Sequence, residues 1–178
     1  MGECPMWEEE TRQLVYVDIN ARTVCRWNPT LWVECGLRDP GGCVALCREG
    51  IYVVASGTCL GLLDWETEQV EWAAWLDHDK PHNRFNDGKV DPTGRFEAGT
   101  IPEASAPGVW EPGQGSLYTL YADRSVIRQL DQLGIPMGWT GPWTTALSTT
   151  WTAWSTLCEP MTTTCRQEAW QTHGWCAS

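Results

Sequence analysis

The stretch Asn83-Arg84-Phe85-Asn86-Asp87-Gly88-Lys89-Val90-Asp91-Pro92-Thr93-Gly94-Arg95 gathers a guanidinium, amides and carboxylates around a glycine. An Arg fork beside an Asn amide can hold the hydroxyls of a polyhydroxylated ligand. Read as a loop ahead of a strand, the stretch would use Gly88 for an unusual backbone angle. Asn-Asp-Gly alone is more often a structural turn. A second stretch, Gly2-Glu3-Cys4-Pro5-Met6-Trp7, sets one acid before a Pro and a Trp. A lone Glu is ordinarily a solvated charge; only converging partners would make Glu3 a metal ligand. Asp77-His78-Asp79-Lys80-Pro81-His82 reads as a solvated loop. It fails as an EF-hand, with His82 where Gly is needed and Gly88 where the closing Glu belongs. Neither a Gly-x-Ser-x-Gly elbow nor a phosphate loop is present.

The elements that would position these residues read as strands. Gln13–Ile19, Thr23–Trp27, Cys43–Leu46, Ile51–Ser56, Cys59–Trp65, Gln69–Leu76, Arg95–Thr100, Ser116–Tyr121 and Ser125–Leu130 are short apolar segments parted by turn residues at hairpin spacing. No helical period competes with them, so the expected class is all-β. An internal repeat supports it. Val15-Tyr16-Val17-Asp18 followed by Val24 matches Leu62-Leu63-Asp64 followed by Val70, with a looser copy at Leu120-Tyr121-Ala122-Asp123 and Val126. The first two copies are spaced at roughly 40–50 residues, the length of one propeller blade. Residues 1–136 would then form an incomplete propeller arc of about two to three blades, with unpaired edge strands available for self-association.

Bulk properties narrow the partners. The chain has 178 residues and a formal charge of −11, which argues against nucleic acid or an anionic membrane as partner. No apolar run is long enough to span a bilayer. The start, Met-Gly-Glu-Cys-Pro-Met-Trp-Glu-Glu-Glu, shows no signal peptide, so the expected location is the cytoplasm. The 9 cysteines form no Cys-x-x-Cys pair, and reduced, partly buried thiols are expected.

From Met137 onward the character changes. Trp139-Thr140, Trp143-Thr144 and Trp151-Thr152 repeat one dipeptide. Trp is encoded by TGG and Thr by ACN, so reading one nucleotide earlier turns the pair into Leu, Val or Met followed by Asp. Across Met137–Trp154 the shift permits Asn-Gly-Leu-Asp-Trp-Ser-Leu-Asp-His, a plausible strand-turn segment. Residues 137–178 are therefore read as a frame-shifted, unrelated Thr/Trp-rich tail expected to lack order.

The two chemistry-bearing stretches, together with Val17-Asp18-Ile19, Val24-Cys25-Arg26-Trp27, Ala98-Gly99-Thr100 and Gln114-Gly115-Ser116-Leu117-Tyr118, closely resemble the regucalcin/gluconolactonase family from Met1 to about Pro136. The shifted-frame peptide is also what that family carries next. The resemblance implies a six-bladed β-propeller with one divalent metal in its central channel, Ca²⁺ by family, with Zn²⁺, Mn²⁺ or Mg²⁺ able to substitute. It implies hydrolysis of sugar lactones such as gluconolactone, together with calcium binding. By position, Glu3 matches the first metal ligand, and Arg84 and Asn86 match the substrate-contacting pair. The second ligand, an Asn, falls at Met137. The third, an Asp that also serves as general base, has no counterpart here, so no catalytic residue is assigned. The family's substrate-contacting Glu falls at Ala104, beside Glu103. Glu97 stands where an apolar strand residue is expected, at a cost if that face is core.

One carboxylate cannot satisfy Ca²⁺, which takes six to eight oxygens. The expectation is therefore a gluconolactonase-family chain that is inactive in this form, with metal binding in doubt. The alternative is a non-catalytic truncated product, degraded or associating through open β-edges.

Overall fold

The computed structural model describes residues 1–47, 50–91, 93–104, 111–139 and 150–153, with side chains described as far as Pro136. The described elements are strands. The first sheet holds β1 (Gly2–Glu8), β2 (Gln13–Asp18), β3 (Thr23–Asn28) and β4 (Leu31–Gly36). The second holds β5 (Gly41–Leu46), β6 (Tyr52–Ser56), β7 (Cys59–Asp64) and β8 (Gln69–Trp75). The third holds β9 (Asn83–Val90), β10 (Phe96–Pro102), β11 (Gly115–Leu120) and β12 (Val126–Leu133). Each is a four-stranded antiparallel meander in chain order. A further pair, β13 (Ile135–Trp139) and β14 (Thr150–Ala153), follows.

The repeat marks hairpin turns rather than equivalent places in successive sheets. Its first copy joins the second and third strands of one sheet, and the other two join third and fourth strands. What the copies share is the Asp. Asp18 Oδ1 accepts the Ala21 N–H at 2.9 Å, Asp64 Oδ1 accepts that of Glu66 at 2.8 Å, and Asp123 Oδ1 accepts that of Ser125 at 3.0 Å. A short carboxylate satisfies turn amides that no ladder reaches.

The sheets stack through apolar faces. Val15, Val17, Val24 and Cys35 of the first meet Val44, Tyr52, Val54 and Leu63 of the second. Cys43, Ala45, Val53, Ala55 and Leu60, from the second sheet's opposite face, meet Phe85, Phe96, Ala98, Tyr118 and Leu120 of the third. The second sheet is thus apolar on both sides, which blurs the period-two alternation of a half-solvated strand. Within the stack, β5 packs on β9 and β9 on β13, so first strands of successive sheets are neighbours.

Five strands stand where the sequence suggested none: β1, β4, β9, β13 and β14. The correction matters most for β9. Asn83–Val90 is not a loop but a strand paired to β10 along its length. Gly88 lies inside it, opposite Ala98. A Cβ at Gly88 would meet Cys43 Sγ at 2.7 Å, the Glu97 carbonyl oxygen at 2.8 Å and Phe96 Cζ at 2.9 Å. Close packing, not an unusual backbone angle, requires glycine there.

Asp77 is also corrected. It is no solvated loop residue: its side chain is 0% exposed. It accepts from Asn83 Nδ2 at 2.7 Å, Thr100 Oγ1 at 2.6 Å, the Tyr118 hydroxyl, and Arg128 Nη2 at 3.3 Å. Arg128 also reaches Asp79 at 2.7 Å. A buried carboxylate survives only when paired and hydrogen-bonded in this way, and none of those partners is adjacent in sequence. Glu97 stands opposite Lys89 on one side and Thr119 on the other, on the face turned away from the second sheet. Its half-buried carboxyl is raised in pKa by desolvation, with Asp91 adding to the shift and Arg95 opposing it.

The cysteines within the described residues, Cys4, Cys25, Cys35, Cys43, Cys47 and Cys59, are free thiols. Most of the Thr/Trp-rich tail, and with it the expectation of disorder, lies outside the described residues.

Candidate functional site

Arg84 and Asn86 lie two residues apart on β9, both half-buried, on the side away from the fully buried Phe85. Local irregularity shapes that side. Phe85 pairs with Thr100 and Asp87 with Gly99, leaving Asn86 as an extra residue in the ladder. A bulge of this kind releases one residue from strand pairing and re-aims its side chain. The freed Asn86 amide donates from Nδ2 to the Pro136 carbonyl at 3.0 Å, tying β9 to β13. Arg84 Nη1 donates to the Phe85 carbonyl at 2.9 Å, which sets the plane of the guanidinium fork.

Glu3 is brought to the same region by β1. The β1–β2 ladder pairs Glu3 with Val17 and Met6 with Val15, so Cys4 and Pro5 form a bulge. Cys4 takes a φ of 52° there, and its thiol donates to the Val44 carbonyl at 3.3 Å. Glu3 itself is exposed. Burial lowers the Arg84 pKa, while the charges of Glu103 and Glu3 oppose that shift. The guanidinium therefore stands within electrostatic reach of both carboxylates. Glu103 is held just beyond β10 by its N–H donating to the His82 carbonyl at 2.8 Å.

The structure thus brings Glu3, Arg84, Asn86 and Glu103 into one neighbourhood on strands that are distant in sequence. Both Glu3 and Asn86 stand at bulges in the first strand of their sheets. Glu103 gains importance from position alone, since nothing in its local sequence separates it from other exposed acids. Ala104 is exposed and offers no polar group. The Met137 side chain lies outside the described residues. Among the described residues, no three acidic, His or Cys side chains converge as metal ligands.

A model of the SMP-30/Gluconolactonase/LRE-like region matches residues 1–153. The chain belongs to that family. Regucalcin of Xenopus laevis is 49% identical over 140 residues, covering 78% of this chain and 47% of that protein. Regucalcin of Homo sapiens is 46% identical over 139 residues, covering 77% and 46% respectively. The chain thus spans about half the length of these relatives. Among solved structures, a luciferin-regenerating enzyme superposes with a TM-score of 0.68 at 27% identity, covering 78% of this chain and 48% of that one. A calcium-binding regucalcin from Agrobacterium tumefaciens gives a TM-score of 0.68 at 26% identity, covering 78% and 46%. The all-β fold of stacked four-stranded sheets is that of this gluconolactonase-type group. No helix among the described residues is long and apolar enough to cross a membrane.

Proposed function

We propose that this chain forms part of a sugar-lactone site in a six-bladed propeller architecture, with Arg84 and Asn86 as the ligand-holding pair. The observation that carries the reading is their common side of β9, with Asn86 lifted out of the ladder by its bulge. A guanidinium offers a rigid fork of donors, and an amide offers both donor and acceptor. That set suits vicinal hydroxyls and a ring carbonyl. Glu3 and Glu103 add acceptors at the periphery. The half-buried position of Arg84 and Asn86 strengthens each hydrogen bond by limiting competition from water.

The divalent metal of the family is less well provided for. Glu3 is its candidate ligand, and a single carboxylate falls short of the oxygen shell of Ca²⁺. A Met thioether at position 137 is too soft a donor to extend that shell. The described residues do not fit the ion, and no hydrolytic step is derived through it. The reading is therefore ligand binding without turnover: recognition belongs to β9, and hydrolysis would need ligands and a base that these residues lack.

The test pairs a binding titration with gluconolactone and a hydrolysis assay with added Ca²⁺, Mn²⁺ or Zn²⁺. Binding is expected for the parent chain and at least tenfold weaker in Arg84→Ala and Asn86→Ala. Hydrolysis is expected to stay at the rate of a metal-only control. Equal affinity in parent and both variants would sink the assignment of the pair, and metal-dependent turnover would sink the non-catalytic part.

A further inference from the structure

The first two sheets meet along an apolar seam that turns polar at one end. On β2, Gln13 alternates with Val15 and Val17, which are buried against the second sheet. Gln13 pairs with Glu8, and Val15 pairs with Met6 and Arg26. Directly paired residues share a face, so Glu8, Gln13 and Arg26 all turn toward the second sheet. Tyr52 and Trp65 meet them from that sheet. Their rings pack edge to face, 6.1 Å between centroids at 84°, and the Arg26 guanidinium lies 5.7 Å from the Trp65 ring centroid.

Glu8 organises this end of the seam. Its Oε2 accepts from Arg26 Nη2 at 3.0 Å and from the Thr11 hydroxyl, and its Oε1 accepts from the Tyr52 hydroxyl. Both carboxylate oxygens are thus engaged. Around them Arg26 Nε, Trp65 Nε1 and Gln13 Oε1 are buried without a partner. Among the described residues, no other buried side-chain nitrogen or oxygen is in that position. Gln13 is 8% exposed. An unpartnered buried polar atom is costly wherever it stands. Here all of them fall in one seam and come from both of its sheets.

We propose that this end of the seam is a binding site for ordered water, which accepts from Arg26 Nε and Trp65 Nε1 and donates to Gln13 Oε1. The chemistry of the set selects the guest. Water both accepts and donates, and a buried water typically makes about three hydrogen bonds. A pair of donors beside one acceptor suits it. An anion would suit the N–H groups but would face the Gln13 carbonyl oxygen and the Glu8 carboxylate. A cation would face the Arg26 charge and both N–H groups. An apolar guest would leave every one of these atoms unpaired. The water joins Gln13 and Arg26 of the first sheet to Trp65 of the second, and it holds the guanidinium over the indole ring. None of these residues takes part in the proposed lactone contacts, so either proposal can fail while the other stands.

Water–protein cross-relaxation in the isotope-labelled full chain tests it. The Trp65 indole N–H, assigned by its disappearance in Trp65→Phe, is expected to show a rotating-frame Overhauser effect to water, opposite in sign to chemical exchange. Gln13→Met keeps the length of the side chain and removes its acceptor, and with it the effect is expected to disappear. Far-ultraviolet dichroism matching the parent establishes that this variant is folded. A crystal structure of the parent reads the same site without any substitution: a water within hydrogen-bonding distance of Arg26 Nε, Trp65 Nε1 and Gln13 Oε1 is expected. A Trp65 indole N–H with no effect to water overturns the proposal, as does an equal effect in folded Gln13→Met. So does a Trp65 resonance that moves saturably with added chloride, which would mark an anion site, and so does a crystal structure in which these atoms bond to protein groups instead.

Discussion

The Asn86 amide donates to the Pro136 carbonyl at 3.0 Å, and Pro136 packs on Gly99 in the strand that pairs with Asn86's own. One side chain thus joins a bulge in the third sheet to the first strand beyond it. The bond uses up part of Asn86's hydrogen-bonding capacity and fixes its rotamer. Asn86→Asp removes the donor and sets a carboxylate against a carbonyl. Gluconolactone affinity is expected to fall at least tenfold, and stability by about 1–3 kcal/mol. Parallel titrations of lactone and of urea check both; unchanged urea and lactone midpoints would contradict the link.

Gly88→Ala tests whether β9 is built by packing. Its Cβ would meet a thiol, a backbone carbonyl and an aromatic ring at 2.7–2.9 Å. Overpacking of this kind costs about 1–3 kcal/mol. A lowered chemical-denaturation midpoint is expected, whereas a turn glycine with free space around it would tolerate the methyl.

Asp77→Ala removes the shared acceptor of Asn83, Thr100, Tyr118 and Arg128. Breaking one side of a buried charge pair costs about 3–5 kcal/mol, and the remaining exposure of Arg128 puts the expected loss near the lower end. Equilibrium unfolding reads it directly, and an unchanged midpoint would show that the cluster contributes nothing net.

Two groups set opposite pH limits. For Tyr118, desolvation and the Asp77 hydrogen bond raise the pKa from 10.0 to about 12. A raised folded pKa means stability that is intact below 10 and lost as pH climbs toward 12. Glu8 behaves in reverse. Burial pushes its pKa up, but hydrogen bonds from Thr11, Tyr52 and Arg26 outweigh that and hold it below the ordinary 4.5. Its contribution is present above that value and lost as pH falls through the depressed one. Tyr118→Phe should flatten the alkaline limb of a stability profile and Glu8→Gln the acid limb. Profiles parallel to the parent on both limbs would refute these assignments.

Arg12 occupies the β1–β2 turn with a φ of 53°. A side chain in the left-handed region costs about 1–2 kcal/mol, offset by roughly 0.5–1 kcal/mol of extra chain entropy when glycine replaces it. Arg12→Gly is expected to raise the melting temperature by a few degrees, and calorimetry would show a fall instead if that turn is not strained.

The all-β class and most strands were legible in sequence, because turn residues and apolar segments act locally; Glu3, Arg84 and Asn86 were marked by family resemblance. The Asp of the repeat was legible too, as a turn signal, since its bonds span only two or three residues. What was not legible depended on distant partners. β9 reads as a polar loop because its glycine and amides are suited to Cys43 and Pro136, far away in the chain. Asp77 reads as solvated because its four partners lie on four different strands, β9 to β12. Local chemistry thus determined most of the elements. Only the stacking of sheets decided which charges are buried and which residues a bulge presents, because burial is a property of surfaces that meet and not of any one segment.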